Sequence, residues 1–130
     1  YQLSKGVISI VSSIQNFSRN IVAEGKRMQE VFDFTMTYFN TDISLETISE
    51  VANMTKNAFC KYFKKRTNKT YFRFLNELRI EHACKLLIDK NDFSIEDLAY
   101  ACGFRNISNF NRQFKMIKNM SPNNFRKRTV

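Results

Sequence analysis

An all-α fold is predicted for this chain from three features. Strand-like alternation is hard to find, and one Pro with three Gly leaves few places for hairpin turns. Apolar residues recur instead at helical spacing, with thirteen Phe supplying interior bulk. Most tellingly, the chain carries one pattern twice. Ser44-Leu45-Glu46-Thr47-Ile48-Ser49-Glu50-Val51-Ala52 precedes a basic segment built on Phe59 and Phe63. About fifty residues on, Ser94-Ile95-Glu96-Asp97-Leu98-Ala99-Tyr100-Ala101-Cys102 precedes a basic segment built on Phe110 and Phe114. A short acidic helix, a tight turn and a basic helix form the outline of a helix-turn-helix unit. At 130 residues there is room for one ordinary domain, or for two small ones sharing a framework helix.

The elements follow in order. Residues 1–26 read as an N-terminal helical arm or a linker to a missing domain, with Val7, Ile8, Val11, Ile14 and Phe17 as its apolar positions. From Arg27, the positions Met28, Val31, Phe32, Thr35, Met36 and Phe39 recur at three and four residues and predict a first core helix to about Phe39. Ser44 caps the first acidic helix, which turns Ile48, Val51 and Ala52 inward, and Thr55 caps the basic helix after it. A long helix over about 70–89 carries Phe74, Leu75, Leu78, Ala83, Leu86 and Leu87. Ser94 with Asp97 forms a capping-box pattern at the second acidic helix. Gly103 marks the turn, Asn106 caps the second basic helix, and Ser121-Pro122 opens a last short helix with Pro at its first position. The domain therefore spans 27–130, with a first helix-turn-helix unit at 27–69, a linker helix at 70–89 and a second unit at 90–130.

Charge points to the partner. The net charge of +9 favours a polyanion. Thr55–Lys69 holds Lys56, Lys61, Lys64, Lys65, Arg66 and Lys69 and no acid. Residues 105–130 hold Arg105, Arg112, Lys115, Lys118, Arg126, Lys127 and Arg128, again with no acid. Together these are most of the chain's 21 basic residues. A solvated helix face usually mixes signs through i,i+4 pairs; segregation by repeat favours phosphate contact.

Steps of about 100° per residue refine this. With Phe59 and Phe63 inward, Asn57, Lys61 and Lys64 face outward with Cys60 beside them. With Phe110 and Phe114 inward, Ser108, Arg112 and Lys115 do the same with Asn111 beside them. The N-terminal half of the second helix of such a unit meets base edges, so Asn57, Cys60, Lys61, Ser108, Asn111 and Arg112 are candidate readers of DNA. Lys64 and Lys115, a turn further on, are candidate phosphate contacts, as are Lys56, Lys65 and Arg105. A nineteen-residue linker helix spans roughly 28 Å, near the 34 Å repeat of the major groove, so one chain can enter two successive grooves.

Other classes have less support. One histidine, His82, no glycine-rich phosphate loop and no paired metal ligands argue against an enzyme and against a metal or other cofactor. Cys60, Cys84 and Cys102 are too widely spaced for a zinc site; an odd count in a Cys-poor chain suggests reduced thiols in a cytosol. No apolar run approaches the roughly 18 residues of a membrane span. A basic module binding RNA or membrane non-specifically, and a protein-interaction module, remain as alternatives.

The string Gly103-Phe104-Arg105-Asn106-Ile107-Ser108-Asn109-Phe110-Asn111-Arg112-Gln113-Phe114-Lys115, followed by Ser121-Pro122 and Phe125-Arg126, closely resembles the signature of AraC/XylS-type bacterial transcription regulators. Ile48, Ala52, Met54, Thr55, Phe59, Lys61, Phe63 and Lys64 match the family's first half, and Arg79-Ile80 with Ala83, Leu86 and Leu87 its linker helix. The resemblance covers about residues 27–128. It implies a seven-helix domain that binds double-stranded DNA and regulates transcription, as activator or repressor, at the nucleoid in the bacterial cytoplasm. It adds Ile107 and Asn109 to the base-reading positions. It also implies an effector-binding domain N-terminal to this segment; RNA polymerase and a second copy of the chain are further expected partners. Asn68 and Asn119 stand where the family usually has Gly, Tyr71 where it has Pro, Ser49 where it has Ala, and Lys61 where Arg is frequent.

Overall fold

Small polar side chains fix where most of the helices start. The computed structural model describes residues 11–12, 22–89 and 92–129. Among these lie seven helices: α1 (Val22–Tyr38), α2 (Leu45–Val51), α3 (Lys56–Thr67), α4 (Tyr71–Asp89), α5 (Ile95–Ala101), α6 (Ile107–Lys118) and α7 (Pro122–Thr129). Ser44 accepts the Thr47 amide at 3.0 Å and Thr55 the Ala58 amide at 3.2 Å. Ser94 accepts the Asp97 amide at 3.0 Å and Asn106 the Asn109 amide at 2.8 Å. Each bond satisfies one of the backbone donors that a helix start leaves open. Both basic helices end on an asparagine in the left-handed region, Asn68 at φ 62° and Asn119 at φ 62°, so Asn does the work of the usual Gly.

α1 begins at Val22, five residues ahead of the expected Arg27. Nothing at 22–26 breaks a helix except Gly25, whose cost of about 1 kcal/mol a packed helix absorbs. The expected boundary at 26/27 thus falls inside α1. Val11 and Ser12 are helical; the other arm positions, Val7, Ile8, Ile14 and Phe17, lie outside the described residues. Met36 is 39% exposed rather than inward. It sits about 80° round the helix from Met28, at the edge of the stripe.

Two cores share one helix. Met28, Val31, Phe32, Ile43, Ile48, Ala52, Phe59 and Phe63 close on Tyr71, Phe74, Leu75 and Leu78 of α4. Leu98, Ala99, Cys102, Phe104, Phe110 and Phe114 close on Ile80, Ala83, Cys84 and Leu87 of the same helix. α4 is therefore covered on several sides, which is why it shows no clean amphipathic stripe. Tyr71 explains its departure from Pro: its ring packs edge-on against Phe59 and Phe63, with centroids 5.5 and 5.4 Å away. Thr35 donates to Val31 O at 2.8 Å, which leaves the Tyr71 hydroxyl to donate to Thr35 Oγ1 at 2.7 Å. Burial pushes the Tyr71 pKa up to about 12, so the phenol keeps its proton and can donate it.

His82 is half-buried, edge-on to Phe39 with centroids 5.2 Å apart. Desolvation holds its pKa below the ordinary 6.5, and Lys85 lowers it further. The unfolded chain then takes up the proton first, so His82's contribution to stability is full above about pH 6.5 and is lost as pH falls through the lowered folded value. The melting temperature of the wild type is expected to fall relative to His82→Gln between about pH 7.5 and about pH 5. A constant difference between the two would refute this.

Candidate nucleic-acid interface

Burying Phe59 and Phe63 on one side of α3 turns the opposite side to solvent. Lys56, Asn57, Cys60, Lys61, Lys64 and Lys65 are all exposed. Burying Phe110 and Phe114 does the same for α6, where Ser108, Asn111, Arg112 and Lys115 are exposed and Ile107 and Asn109 half-buried. The outward positions deduced from 100° steps are thus outward in the fold, and at matching places in the two units. Helices α3 and α6 both pack against α4.

Local bonds shape the second face. Asn109 Oδ1 accepts from Arg112 Nη2 at 2.7 Å, which holds the guanidinium fork over the first turns of α6. Arg112, Asn109 and Arg105 line an open cleft of about 360 Å³ at the α6 N-terminus, together with Asp42, Arg79 and Gly103. Asn106, Ser108 and Phe104 complete it.

Several cations of the two basic stretches are already engaged by acids from elsewhere in the chain. Lys69 meets Glu77 at 2.8 Å, and Arg73 reaches the same carboxylate at 3.7 Å. Lys118 pairs with the buried Glu81, tying the last turn of α6 to α4. Arg126 donates to Phe93 O at 2.7 Å, and the Arg66 guanidinium stacks over Tyr62 at 4.2 Å. Arg105 pairs with Asp42 at 2.6 Å and Lys56 with Glu46 at 3.5 Å, but both remain on the exposed surface. Acid-free segments in sequence are therefore not acid-free patches in space. Lys61, Lys64, Lys65, Arg112 and Lys115 form the outward remainder on α3 and α6, with Lys127 and Arg128 exposed on α7.

Two features escaped the sequence. Asn53, at φ 57°, is the first unit's counterpart of Gly103 at φ 99°; its position fifty residues before Gly103 was the available signal. Arg79 is buried and donates to Phe39 O and Thr41 O, both at 2.7 Å. Nothing in its neighbourhood along the chain announces those partners.

Among the described residues, no helix is long and apolar enough to cross a membrane, and no group of three or more His, Cys, Asp or Glu gathers to hold a metal ion.

Paired units of this kind on one linker helix define a double helix-turn-helix domain, and known proteins place it. The chain belongs to the family described as Helix-turn-helix domain, which matches residues 48–128, and its fold closely matches AraC/XylS-type DNA-binding domains. An uncharacterized HTH-type transcriptional regulator of Bacillus subtilis (strain 168) is 25% identical over 119 residues, covering 91% of this chain and 40% of that protein. One from Staphylococcus aureus (strain COL) is 30% identical over 125 residues, covering 96% of this chain and 16% of that protein. The chain thus spans less than half the length of these relatives. The DNA-binding domain of AdpA, a global transcriptional factor solved in complex with a target DNA, superposes with a TM-score of 0.70 at 25% identity, over 76% of this chain and 88% of that one. A probable AraC family transcriptional regulator from Rhodopseudomonas palustris CGA009 gives 0.72 at 20% identity, over 80% and 97%.

Proposed function

We propose that the domain over 27–130 binds double-stranded DNA sequence-specifically and regulates transcription, with α3 and α6 entering successive major grooves. The observation that carries this is the equivalence of two exposed polar faces, each capped, each backed by a Phe pair and each packed on α4. In this reading Asn57, Cys60, Lys61, Ile107, Ser108, Asn109, Asn111 and Arg112 face bases. Asn suits adenine, and Arg or Lys suits guanine O6 and N7. Lys56, Lys64, Lys65, Arg105 and Lys115 meet phosphates, which position the protein without reading sequence. The likeness to a domain solved on its target DNA supports duplex DNA over RNA or membrane. In the longer protein, an N-terminal effector-binding domain would govern this one, with RNA polymerase and a second copy as further partners in the cytoplasm.

The test is selection of bound duplexes from a random pool, repeated with Arg112→Ala and Lys61→Ala. Arg112 offers a planar fork braced by Asn109, and a bidentate contact discriminates against the wrong base by about 1–3 kcal/mol. Lys61 is a point charge on a flexible stem. Arg112→Ala should therefore relax the preference at one half-site sharply, and Lys61→Ala should do less at the other. A wild-type pool with no enriched sequence would overturn the proposed function; equal losses from the two variants would overturn the Arg and Lys assignment alone.

A further inference from the structure

Among the described residues, the two units approach each other beside the linker helix at a pair of turns. Phe39, Asn40 and Thr41 form the turn from α1 to α2 in the first unit; Gly103, Phe104 and Arg105 form the turn that leads into α6 in the second. Arg79 lies between them on α4, at the changeover from Leu78 of the first core to Ile80 of the second. Its Nε donates to Phe39 O and its Nη2 to Thr41 O, and its guanidinium carbon sits 5.6 Å from the Phe104 ring centroid. The approach is close enough to exclude a side chain at 103. A Cβ there would lie 2.7 Å from Phe39 O, 2.9 Å from Asn40 Cα and 3.0 Å from Arg79 Nε, in a backbone conformation that L-residues rarely adopt. The Arg105–Asp42 pair bridges the same two turns at 2.6 Å on the exposed rim.

The geometry points to Arg79 as a positioning residue that locks the two recognition helices in one relative orientation, and so sets the half-site spacing the domain accepts. This rests on the DNA-binding function proposed above. A planar guanidinium suits the task because its fork reaches two carbonyls at once while its face rests on an aromatic ring. A lysine would reach only one of them. Removing the fork leaves Phe39 O and Thr41 O without their donor, and the second turn loses the surface against which Gly103 and Phe104 pack. What remains is the common helix and the exposed Arg105–Asp42 pair, a solvent-screened tie too weak to fix the loops that lead into α6.

The structure also supplies a way to see this without DNA. Cys60 is exposed on α3, whereas Cys84 and Cys102 are buried with their thiols pushed up to about 12. With Asn123→Cys on the exposed start of α7, spin labels enter at Cys60 and position 123 alone, one in each unit. The distance distribution between them is expected to be narrow in the otherwise native chain and clearly broader with Arg79→Met. Arg79→Lys, which keeps the charge and stem, should fall between and covers the case in which Arg79→Met does not fold. The second arm uses the selected duplex with one base pair inserted between half-sites, which rotates one of them by about 34°. The native chain should lose about tenfold in affinity, and the folded Arg79 variants less than about threefold. An unbroadened distribution, or undiminished sensitivity to spacing in a folded variant, overturns the role of Arg79. Broadening in a chain whose native form shows no duplex preference would uphold the clamp and reject the DNA-binding function, so the two failures are distinct.

Discussion

Phe63→Ala is expected to destabilise the first unit by about 3–5 kcal/mol, the range for truncating a fully buried aromatic. Phe63 has no exposed surface. Its ring meets Tyr71 edge-on at 5.4 Å, Phe74 at 5.7 Å, Phe59 at 5.8 Å and Phe32 at 6.4 Å, so it joins α1, α3 and α4. Neighbours on three helices cannot all collapse into the space it leaves. In a domain of this size the loss corresponds to a melting temperature lower by roughly 10 °C or more. The separation of the two cores adds a finer expectation. Amides of α5 and α6, whose core contains Phe104, Phe110 and Phe114, should keep more of their exchange protection than those of α2 and α3. Uniform loss of protection along the chain would show that the shared helix α4 makes the two cores one cooperative unit.

That division into two cores was legible in the sequence because it rests on local rules repeated twice. Ser44, Thr55, Ser94 and Asn106 act within three residues of themselves, and the Phe pairs act through helical periodicity. The outward faces of α3 and α6 followed by subtraction, since fixing Phe59 and Phe63 or Phe110 and Phe114 inward leaves a single direction for the rest. What was not legible depends on long-range partners. Arg79 finds its acceptors about forty residues back along the chain, in the turn after α1. Glu81, nearly fully buried, is matched by Lys118 thirty-seven residues later. A charge inside a helix reads as a solvated residue until the packing against it is known. The same blindness inflated the basic stretches, because the acids that engage Lys69 and Lys118 come from α4.

Those engaged cations set the expected salt dependence. Between about 50 and about 200 mM salt, affinity for duplex DNA should fall roughly a thousandfold, the lower end of the range for six to ten neutralised phosphates. The lower end follows from the ion pairs. Lys69 and Lys118 are held by Glu77 and Glu81 on the linker helix, partly buried, and are not available to a phosphate without leaving a carboxylate behind. Arg105 and Lys56 pair with Asp42 and Glu46 at exposed sites, where an ion pair is worth about 0–1 kcal/mol and a phosphate can displace it. Lys115 is exposed one position past Phe114, a turn beyond Arg112, where a helix inserted by its N-terminal end is rising to the backbone. Lys115→Ala should therefore weaken binding to all sequences alike and lower the salt slope by about one unit. Lys69→Met should leave the slope unchanged, once circular dichroism and melting show each variant folded. A slope lowered equally by both would mean that the Lys69–Glu77 pair opens on DNA and that the interface extends past the end of α3. A shallow slope in the native protein, the same for selected and random duplex, would remove the electrostatic basis for groove binding altogether.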